Sequence, residues 1–401
     1  MRTNPLRLLA LVALLLAAPP VRADSARYEV RPGQDYRTLL NRLQPGDELV
    51  FLPGEHEGAA ILDLQGQPGR PITLRGQVGA RGRRPVVQFT GRGQNLWRLR
   101  GRHLVVRDLE LHATHAYAIR VDRAEHVRIE HCTFRDCGGG DLSANSADVH
   151  ALHVVHCTFT GSRRTPVYIG HHDGRLQITD FRFEGNRIDG RRIEGGIGYG
   201  IQLKLNVTGG QIRGNWISGT RGPGIMVYGA RQDDPDLANV VEGNVVLAAR
   251  NNPGIVVGGG PARIRGNLVA DNPQGGIAVI DYGGRDLLGG IQIHENTLVA
   301  NGSFDLSFRG NLRELRAEQN RIVARPGGPG IRGPQSVLGH HPVEPAGEAL
   351  RQRITRLRDT EPVLRSEPLL PPGPLDAAEL NAWLDRWLED SDAANSDDTS
   401  G

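Results

Sequence analysis

Short stretches of alternating apolar and polar residues recur along most of the chain, and bends rich in glycine or asparagine separate them. Such alternation is typical of half-buried β-strands. The clearest repeat places an asparagine just before a stretch, at Asn186, Asn215, Asn244, Asn267, Asn296 and Asn320. Cys132 and Cys157 occupy the same position in two earlier repeats. From Cys132 to Asn320 the steps are 25, 29, 29, 29, 23, 29 and 24 residues, which is the period of a solenoid.

A second strand motif follows four of these asparagines after 9 to 14 residues. It pairs glycine with isoleucine and begins at Gly200, Gly224, Gly254 and Gly276. Each repeat therefore contains at least two short strands. The period-two pattern and the 53 glycines argue against helical repeats. Because one such coil cannot bury its inner face alone, the sequence predicts stacked coils around a continuous core.

The recurring asparagines are predicted to form an internal ladder at one bend, where each side chain satisfies backbone groups of its neighbours. Cys132 and Cys157 are expected to stack inside the fold as small apolar residues. With Cys137 the chain has three cysteines, so at least one is unpaired or pairs between chains. The sequence leaves open whether two of them form a disulfide, and no cluster has the spacing of zinc ligands.

A different kind of segment precedes the repeats. Asp35 is predicted to cap a short amphipathic helix, Tyr36–Leu43, which would plug the open end of the core. With this cap, the predicted fold is an all-β parallel β-helix domain over residues 24–335.

The repeats stop in a Pro-Gly run after Arg325, and residues 336–374 are expected to be irregular. Asp376 and Glu379 form a capping box for an amphipathic helix that runs to Leu388. The sequence thus predicts an extension over residues 336–390 that packs on the solenoid. A polar, acidic tail over residues 391–401 is predicted to be disordered.

Residues 1–23 have the organisation of a secretory signal. Arg2 and Arg7 precede an apolar run, Leu8–Ala18, that is too short to span a bilayer. Val21–Ala23 is a suitable cleavage site. The protein is therefore predicted to be periplasmic or secreted and monomeric, with no membrane-spanning segment. Removal of the signal takes the formal charge from +3 to 0. A near-neutral protein argues against nucleic acid as a partner.

Lys204 is the only lysine among the 48 lysine and arginine residues. Arginine can replace a lysine that supplies only positive charge, but it stays protonated at ordinary pH and cannot accept a proton. Lys204 is therefore the first candidate for proton transfer. The alternative is a surface lysine that has survived by chance.

Strand alternation points Lys204 and Gln202 outward from the predicted sheet. Alignment of the Gly-Ile motifs then gives two outward columns. The column of Lys204 contains Asp122, Asn145, Gly170, Lys204, Tyr228, Gly258, Ile280 and Arg309. The column of Gln202 contains Arg120, Ser143, Tyr168, Gln202, Met226, Val256, Ala278 and Ser307. Since adjacent coils lie about 4.8 Å apart, Lys204 and Tyr228 should be neighbours.

Groups that can move protons or stack on sugars surround Lys204 in these columns. We predict that Lys204, Tyr228 and His171 are catalytic. The predicted substrate-binding residues are Tyr168, His172, Gln202, Arg120, Asn145 and Arg309. A solvated polar strand face without a ligand is the alternative, because outward residues are polar in any solenoid.

The repeats resemble the right-handed parallel β-helix of polysaccharide lyases, epimerases and pectin-active hydrolases. The entry segment, Leu43–Asp47 followed by Leu49–Phe51 and Pro71–Gly76, is similar to the start of polysaccharide lyase family 6, which contains chondroitinase B and alginate lyases. This resemblance covers roughly residues 27–335 and implies β-elimination on an acidic polysaccharide. It also implies that Lys204 is the base, because the family has a lysine at this place.

The chain departs from that family at two positions. Tyr228 stands where the family has an arginine that acts as the acid. Thr165–Gly170 occupies the place of a motif rich in Asn, Gly and Glu, and the calcium-binding glutamates of that motif are missing. No cofactor and no metal site are therefore predicted, and calcium is left open only by the resemblance.

Elimination needs a base for the proton alpha to the carboxylate, positive charge for the enolate-like intermediate and an acid for the departing oxygen. A lysine desolvated by tyrosine rings, near a cationic histidine, has surroundings that lower the pKa of an amine. The leading hypothesis is an exported lyase acting on a glycan that contains uronic acid, with Lys204 as base. A uronan epimerase and a non-catalytic carbohydrate-binding envelope protein are the alternatives. A glycoside hydrolase ranks last, because it needs paired carboxylates and these columns offer Asp122 alone.

Overall fold

The computed structural model describes residues 25–230, 234–281, 289–328, 330–334, 336, 338–360, 369–371 and 373–398. The predicted signal over residues 1–23 lies outside these ranges. Within them the chain winds into a parallel β-helix, which confirms the predicted all-β solenoid. None of the helices in the described part combines the length and apolar composition that crossing a membrane requires.

Each complete coil has three strand positions, which we call legs. Strands are numbered along the chain. The first leg contains β4 (Ala60–Gln65), β7 (Trp97–Arg107), β9 (Tyr117–Glu130), β11 (Gly140–Ala144), β14 (Val167–Ile169), β18 (Ile201–Leu203), β22 (Ile225–Val227), β25 (Ile255–Val257), β28 (Ile277–Ile280), β31 (Leu306–Arg309) and β34 (Ile331–Arg332). Strands β7 and β9 continue without a break into the second leg.

The remaining strands of the second leg are β1 (Arg27–Val30), β2 (Glu48–Phe51), β5 (Ile72–Gly76), β12 (Val149–Val155), β15 (Ile178–Thr179), β16 (Arg182–Glu184), β19 (Val207–Thr208), β20 (Gln211–Arg213), β23 (Asn239–Glu242), β26 (Ala262–Arg265), β29 (Ile291–His294) and β32 (Arg316–Glu318). The third leg contains β3 (Glu55–Glu57), β6 (Val86–Phe89), β8 (Glu110–Ala113), β10 (Thr133–Arg135), β13 (Thr158–Thr160), β17 (Arg187–Asp189), β21 (Trp216–Ser218), β24 (Val245–Leu247), β27 (Leu268–Ala270), β30 (Thr297–Val299), β33 (Arg321–Ala324) and β35 (Val343–Pro345).

Equivalent legs of successive coils pair in parallel and in register. Over the described residues the first two legs form one 23-stranded sheet, bent at a corner, and the third leg forms a 12-stranded sheet. Ile201 pairs with Ile225, which pairs with Ile255, and all three are fully buried. A slip of one residue would turn this apolar column outward, so burial of the core fixes the register.

The predicted asparagine ladder is confirmed. Asn244 Oδ1 accepts hydrogen bonds from the backbone N–H and the Nδ2 of Asn215, at 3.0 and 2.9 Å. Asn244 Nδ2 donates to the carbonyl oxygen of Ile212 at 2.9 Å and to Asn267 Oδ1 at 2.9 Å. The Cys157 N–H donates to Asn186 Oδ1 at 2.8 Å, so a cysteine occupies the preceding step.

The three cysteines are free and buried, as expected for Cys132 and Cys157 acting as small apolar residues. A second, shorter ladder was not predicted. It joins Asn272 Nδ2 to Asn301 Oδ1 at 3.0 Å, and Asn301 Nδ2 to Asp305 Oδ1 at 3.3 Å. Two steps are too few to stand out as a repeat in the sequence.

The N-terminal helix is shorter than predicted. Helix α1 spans Arg37–Leu40, and Asp35 Oδ1 accepts from the Arg37 N–H at 3.0 Å. The helix stops because the next residues close tighter turns, with N–H to C=O bonds between residues three apart such as Leu43 to Leu40. Tyr36 is fully buried, and its hydroxyl accepts from Trp97 Nε1 at 2.9 Å. This end of the core is therefore closed by aromatic packing.

Two helices follow the last coil: α2 (Glu348–Asp359) and α3 (Ala377–Asp398). The predicted capping box is present, since the Asp376 N–H donates to Glu379 Oε2 at 2.9 Å and the Glu379 N–H donates to Asp376 Oδ1 at 2.8 Å. Both helices cover the outer face of the third leg, where Trp387 stacks on Trp216 with ring centroids 5.1 Å apart.

Two predictions for the C-terminal region were wrong. Helix α2 lies in the stretch 336–374 predicted to be irregular, and its buried residues Leu350, Ile354 and Leu357 follow helical spacing. The tail predicted to be disordered from residue 391 is helical to Asp398.

The asparagine ladder should be a main source of stability. Asn244→Ala leaves the N–H of Asn215 and the carbonyl of Ile212 without these partners, at a cost of about 1–3 kcal/mol for each buried group. We expect urea unfolding to show a loss of at least about 2 kcal/mol in the free energy of unfolding. Asn251→Ala removes an exposed asparagine and should change it by less than about 0.5 kcal/mol. Equal losses in the two variants would contradict a special role for the ladder.

Stability should also depend on pH through Asp141. This carboxyl is fully buried and accepts a hydrogen bond from Ser162 Oγ. Burial raises its pKa from 3.8 to about 7. Between these values the folded state binds more protons than the unfolded chain, so the free energy of unfolding falls as pH rises from about 4 to about 7. Asp141→Asn cannot ionise and should flatten that slope in urea titrations at pH 5 and pH 8. An identical slope in the variant would rule out this origin.

Candidate functional site

Lys204 lies at the corner between the first and second legs, directly after β18. Its N–H donates to the carbonyl of Ile169 on the preceding coil at 2.8 Å. Gly170 lies opposite, with φ 85°, and a Cβ there would come within 2.9 Å of Val207 Cγ2 and 3.1 Å of Lys204 Cβ. Glycine at 170 therefore lets the two coils close around the base of the lysine side chain.

The aliphatic stem of Lys204 carries its amine to two tyrosine rings. Lys204 Nζ lies 4.4 Å from the centroid of the Tyr228 ring and 5.7 Å from that of Tyr168. These are cation–π distances. Tyr168 belongs to the coil before Lys204 and Tyr228 to the coil after it, which confirms the predicted neighbours. Since all three side chains are partly buried, coil stacking holds the amine in place.

A third tyrosine, absent from the sequence-based site, completes this cluster. Tyr199 lies on the bend before β18, is 5% exposed, and its hydroxyl is 3.3 Å from that of Tyr228. Burial raises the pKa of Tyr168 above its usual value of 10, and the nearby Tyr117 and Tyr228 raise it further. The Tyr168 hydroxyl therefore keeps its proton at neutral pH. Tyr199 directly precedes the Gly-Ile motif that begins at Gly200, and this position in the sequence could have identified it as a site residue.

The predicted histidines follow Gly170 on the coil before Lys204. The rings of His171 and His172 lie 4.2 Å apart, and His171 Nδ1 is 2.7 Å from Asp173 Oδ1. A hydrogen bond from the Arg175 N–H lowers the pKa of Asp173 to about 2. Desolvation opposes this shift, and His171 adds to it.

This loop is also where the described residues could hold a metal. One donor atom each from His171, His172 and Asp173 lie within 4.8 Å of one another. Two imidazoles and a carboxylate suit a transition metal such as zinc better than calcium, which prefers oxygen ligands. The sequence-based prediction of no metal did not consider this set.

The two outward columns have the predicted register. Asn145, Gly170, Lys204 and Tyr228 follow the ladder pairs that end at Ala144, Ile169, Leu203 and Val227. The remaining members continue that pairing to Arg309. Four coil steps separate Lys204 from the exposed Arg309, about 19 Å. The structure therefore does not bring Arg309 to the amine.

Gln202 does not have the exposure that strand alternation suggested. Its side chain is 2% exposed, and the next members of its column, Met226, Val256 and Ala278, are fully buried. Met226, Val256 and Ala278 pack in one apolar cluster with two residues from the bends before the first leg, Tyr199 and Phe304. The outward face is thus covered from the coil of Lys204 onward, and contact between Gln202 and a substrate stays a prediction.

The other two predicted binding residues lie on the N-terminal side. Asn145 is two coils and Arg120 three coils from Lys204, about 10 and 14 Å. Next to them a groove of about 790 Å³ follows the corner of the helix. It ends at Thr179, which pairs with Thr208 of the coil that carries Lys204.

Comparison with known proteins agrees with this architecture. The family described as "Right handed beta helix region" matches residues 117–298. No curated protein has a sequence that matches the chain. The catalytic unit of a thermostable GH87 α-1,3-glucanase from Streptomyces thermodiastaticus strain HF3-3 is similar in structure, with a TM-score of 0.52 and 15% identity over 82% of this chain and 69% of that chain.

Two lyase structures are more distant. An alginate lyase from Paenibacillus sp. str. FPU-7 has a TM-score of 0.42 and 16% identity, covering 80% of this chain and 98% of that chain. A family 6 polysaccharide lyase from Pseudopedobacter saltans has a TM-score of 0.44 and 14% identity, covering 88% of this chain and 98% of that chain. The family match and the likeness to the glucanase establish a right-handed parallel β-helix, and at 15% identity they establish nothing finer.

Proposed function

We propose that the protein is an exported polysaccharide lyase that cleaves a uronic-acid glycan by β-elimination, with Lys204 as the base. One observation carries the proposal: the only lysine of the chain is held with its Nζ 4.4 Å from one tyrosine ring and 5.7 Å from another. The glucanase of the same fold acts on a glycan, which supports a polysaccharide substrate. Export rests on residues 1–23, which lie outside the described residues.

In the proposed reaction Lys204 Nζ removes the proton alpha to the carboxylate of the bound sugar. The electron pair of that C–H bond forms a C=C bond with the neighbouring carbon. The bond from this carbon to the glycosidic oxygen breaks, and the departing oxygen takes a proton from an acid. The alpha C–H bond becomes acidic enough for an amine when nearby positive charge neutralises the uronate carboxylate.

Tyr228 is the proposed acid. Its ring contacts the amine and its hydroxyl lies 3.3 Å from the Tyr199 hydroxyl, so the proposed base and acid are neighbours. Tyr199 can pass a proton to Tyr228 after the departing oxygen has taken one. The enolate-like intermediate needs nearby positive charge, and His171 on the preceding coil is the proposed group that stabilises it.

Replacement of the amine tests the base role. Lys204→Arg keeps the positive charge but cannot accept a proton, so we expect at least a ~100-fold loss of turnover. The measurement is ultraviolet absorbance of unsaturated products from alginate, polygalacturonate and chondroitin, together with proton exchange from solvent. Arg316→Lys, at an exposed position on β32, is the charge-conserving control and should keep full activity.

Full activity of Lys204→Arg on a polymer that the unmodified protein cleaves would contradict the base role. Proton exchange without absorbance would replace elimination by epimerisation. Retention of a glycan with neither signal would leave a binding protein.

The hydroxyl of Tyr228 can be removed without its ring. Tyr228→Phe keeps the aromatic face beside Lys204, so substrate affinity should be preserved while kcat falls by about 100-fold or more. Tyr199→Phe removes the second hydroxyl and should lower kcat less, because Tyr199 acts only through Tyr228. Steady-state kinetics on the best polymer measures both. An unchanged kcat in Tyr228→Phe would assign the acid role to another group.

A further inference from the structure

We propose that Arg98, Arg100 and Arg120, gathered around Asp122, form a separate subsite that binds a carboxylate of the glycan about three coils before Lys204. This inference rests on the proposed function and narrows its substrate. A subsite at this distance requires a polymer with carboxylates on more than one sugar, oriented along the helix axis.

The three arginines converge on one acidic side chain. Arg98 Nη2 bonds to Asp122 Oδ2, Arg100 Nε lies 3.3 Å from the same oxygen, and Arg120 Nε lies 3.6 Å from Asp122 Oδ1. Strand pairing produces this arrangement, since Arg98 of β7 lies opposite Arg120 of β9. Three guanidinium groups face this carboxylate, and Asp63 of β4 lies opposite Arg100 in the strand pairing. One positive charge therefore remains in excess, which favours a second anion.

Asp122 itself stays ionised. Burial of this carboxyl raises its pKa, but hydrogen bonds from Ser146, Arg98 and Arg100 outweigh burial and hold the pKa below 3.8. The side chain of Asp122 is 8% exposed, whereas those of Arg98, Arg100 and Arg120 are 41%, 39% and 37% exposed. The carboxylate thus anchors the cluster from below while the guanidinium groups remain open to a ligand.

Buried polar atoms beside this cluster lack partners. Among the described residues, Arg98 Nε, Ser143 Oγ and Asn145 Oδ1 are buried without a hydrogen bond. Ser143 lies directly opposite Arg120 in the next coil, and its side chain is fully buried. Native proteins rarely leave such atoms unsatisfied. With Asp122 Oδ1, which also lacks a hydrogen bond, these atoms lie on three successive coils. They indicate that a ligand, with its bound water, completes this site.

The groove next to the cluster gives a polymer its path. Arg98, Arg100 and Asp122 are among its lining residues. The rest of the lining carries both signs of charge, with Asp63, Arg102, Glu125 and Asp148 among its residues. Mixed donors and acceptors suit sugar hydroxyl groups, so recognition of a carboxylate is confined to the arginine cluster.

The opposite direction is closed to a polar chain. Beyond Lys204 the outward positions Met226, Val256 and Ala278 are fully buried in the apolar cluster. The groove instead ends on the coil adjacent to Lys204. A glycan with one uronate at the amine therefore extends toward the N-terminal coils, where the arginines lie.

The test is the double variant Arg98→Gln/Arg100→Gln, probed by electrophoresis in gels that contain alginate, polygalacturonate or neutral amylose. We expect an acidic polymer, and not amylose, to retard the unmodified protein. Loss of two charge-assisted contacts should weaken that binding about tenfold or more and raise KM by a similar factor. The exposed Arg316→Gln variant is the control and should bind as the unmodified protein does.

Asp122→Asn provides a second, opposite test. It removes the charge of the competing carboxylate and leaves all three guanidinium groups, so binding of the acidic polymer should tighten several-fold. Unchanged binding in both variants, or equal retardation by amylose, would overturn the subsite. If Lys204→Arg abolishes elimination while the double variant binds normally, the lyase stands and the subsite fails. If the acidic polymer binds through these arginines but no unsaturated product forms, the subsite stands and the lyase fails.

Discussion

The parallel, in-register stacking of coils is the constraint on which this protein depends. A step of about 4.8 Å brings residues 21 to 37 positions apart into contact, so each side chain finds its equivalent on the next coil. Inside, this makes columns such as Ile201, Ile225 and Ile255, and at one bend it makes the asparagine ladder. Since each coil contacts mainly its neighbours, a defect in one step weakens the whole stack.

The same stacking creates the candidate site on the outside. Tyr168, Lys204 and Tyr228 come from three successive coils, and no pair of them is close in sequence. On the N-terminal side the outward face is open and charged. On the C-terminal side it is apolar and covered by Tyr199 and Phe304. Lys204 lies at this boundary, where an amine can be partly desolvated and still meet a polar substrate.

Features that follow from period and register could be predicted from the sequence. The column of Lys204 was correct because one aligned motif fixes every other pairing. The cover over Gln202 could not be predicted, because Tyr199 and Phe304 lie on bends whose paths differ from coil to coil. Arg98 and Arg100 were missed because the first coils lack the asparagine marker, although Trp97-Arg98-Leu99-Arg100 has the right alternation. Helix α2 was missed because only three apolar residues mark its buried face.

The position of the Lys204 amine between two tyrosine rings can be measured directly, because a chain with one lysine gives one signal when lysine is labelled with carbon-13 at the ε position. The account predicts that, in the folded protein, ring currents shift the ε protons upfield of their random-coil position. Tyr228→Leu should remove most of that shift. A folded protein with the lysine signal at its random-coil position would contradict the account, because the amine would then lie away from both rings.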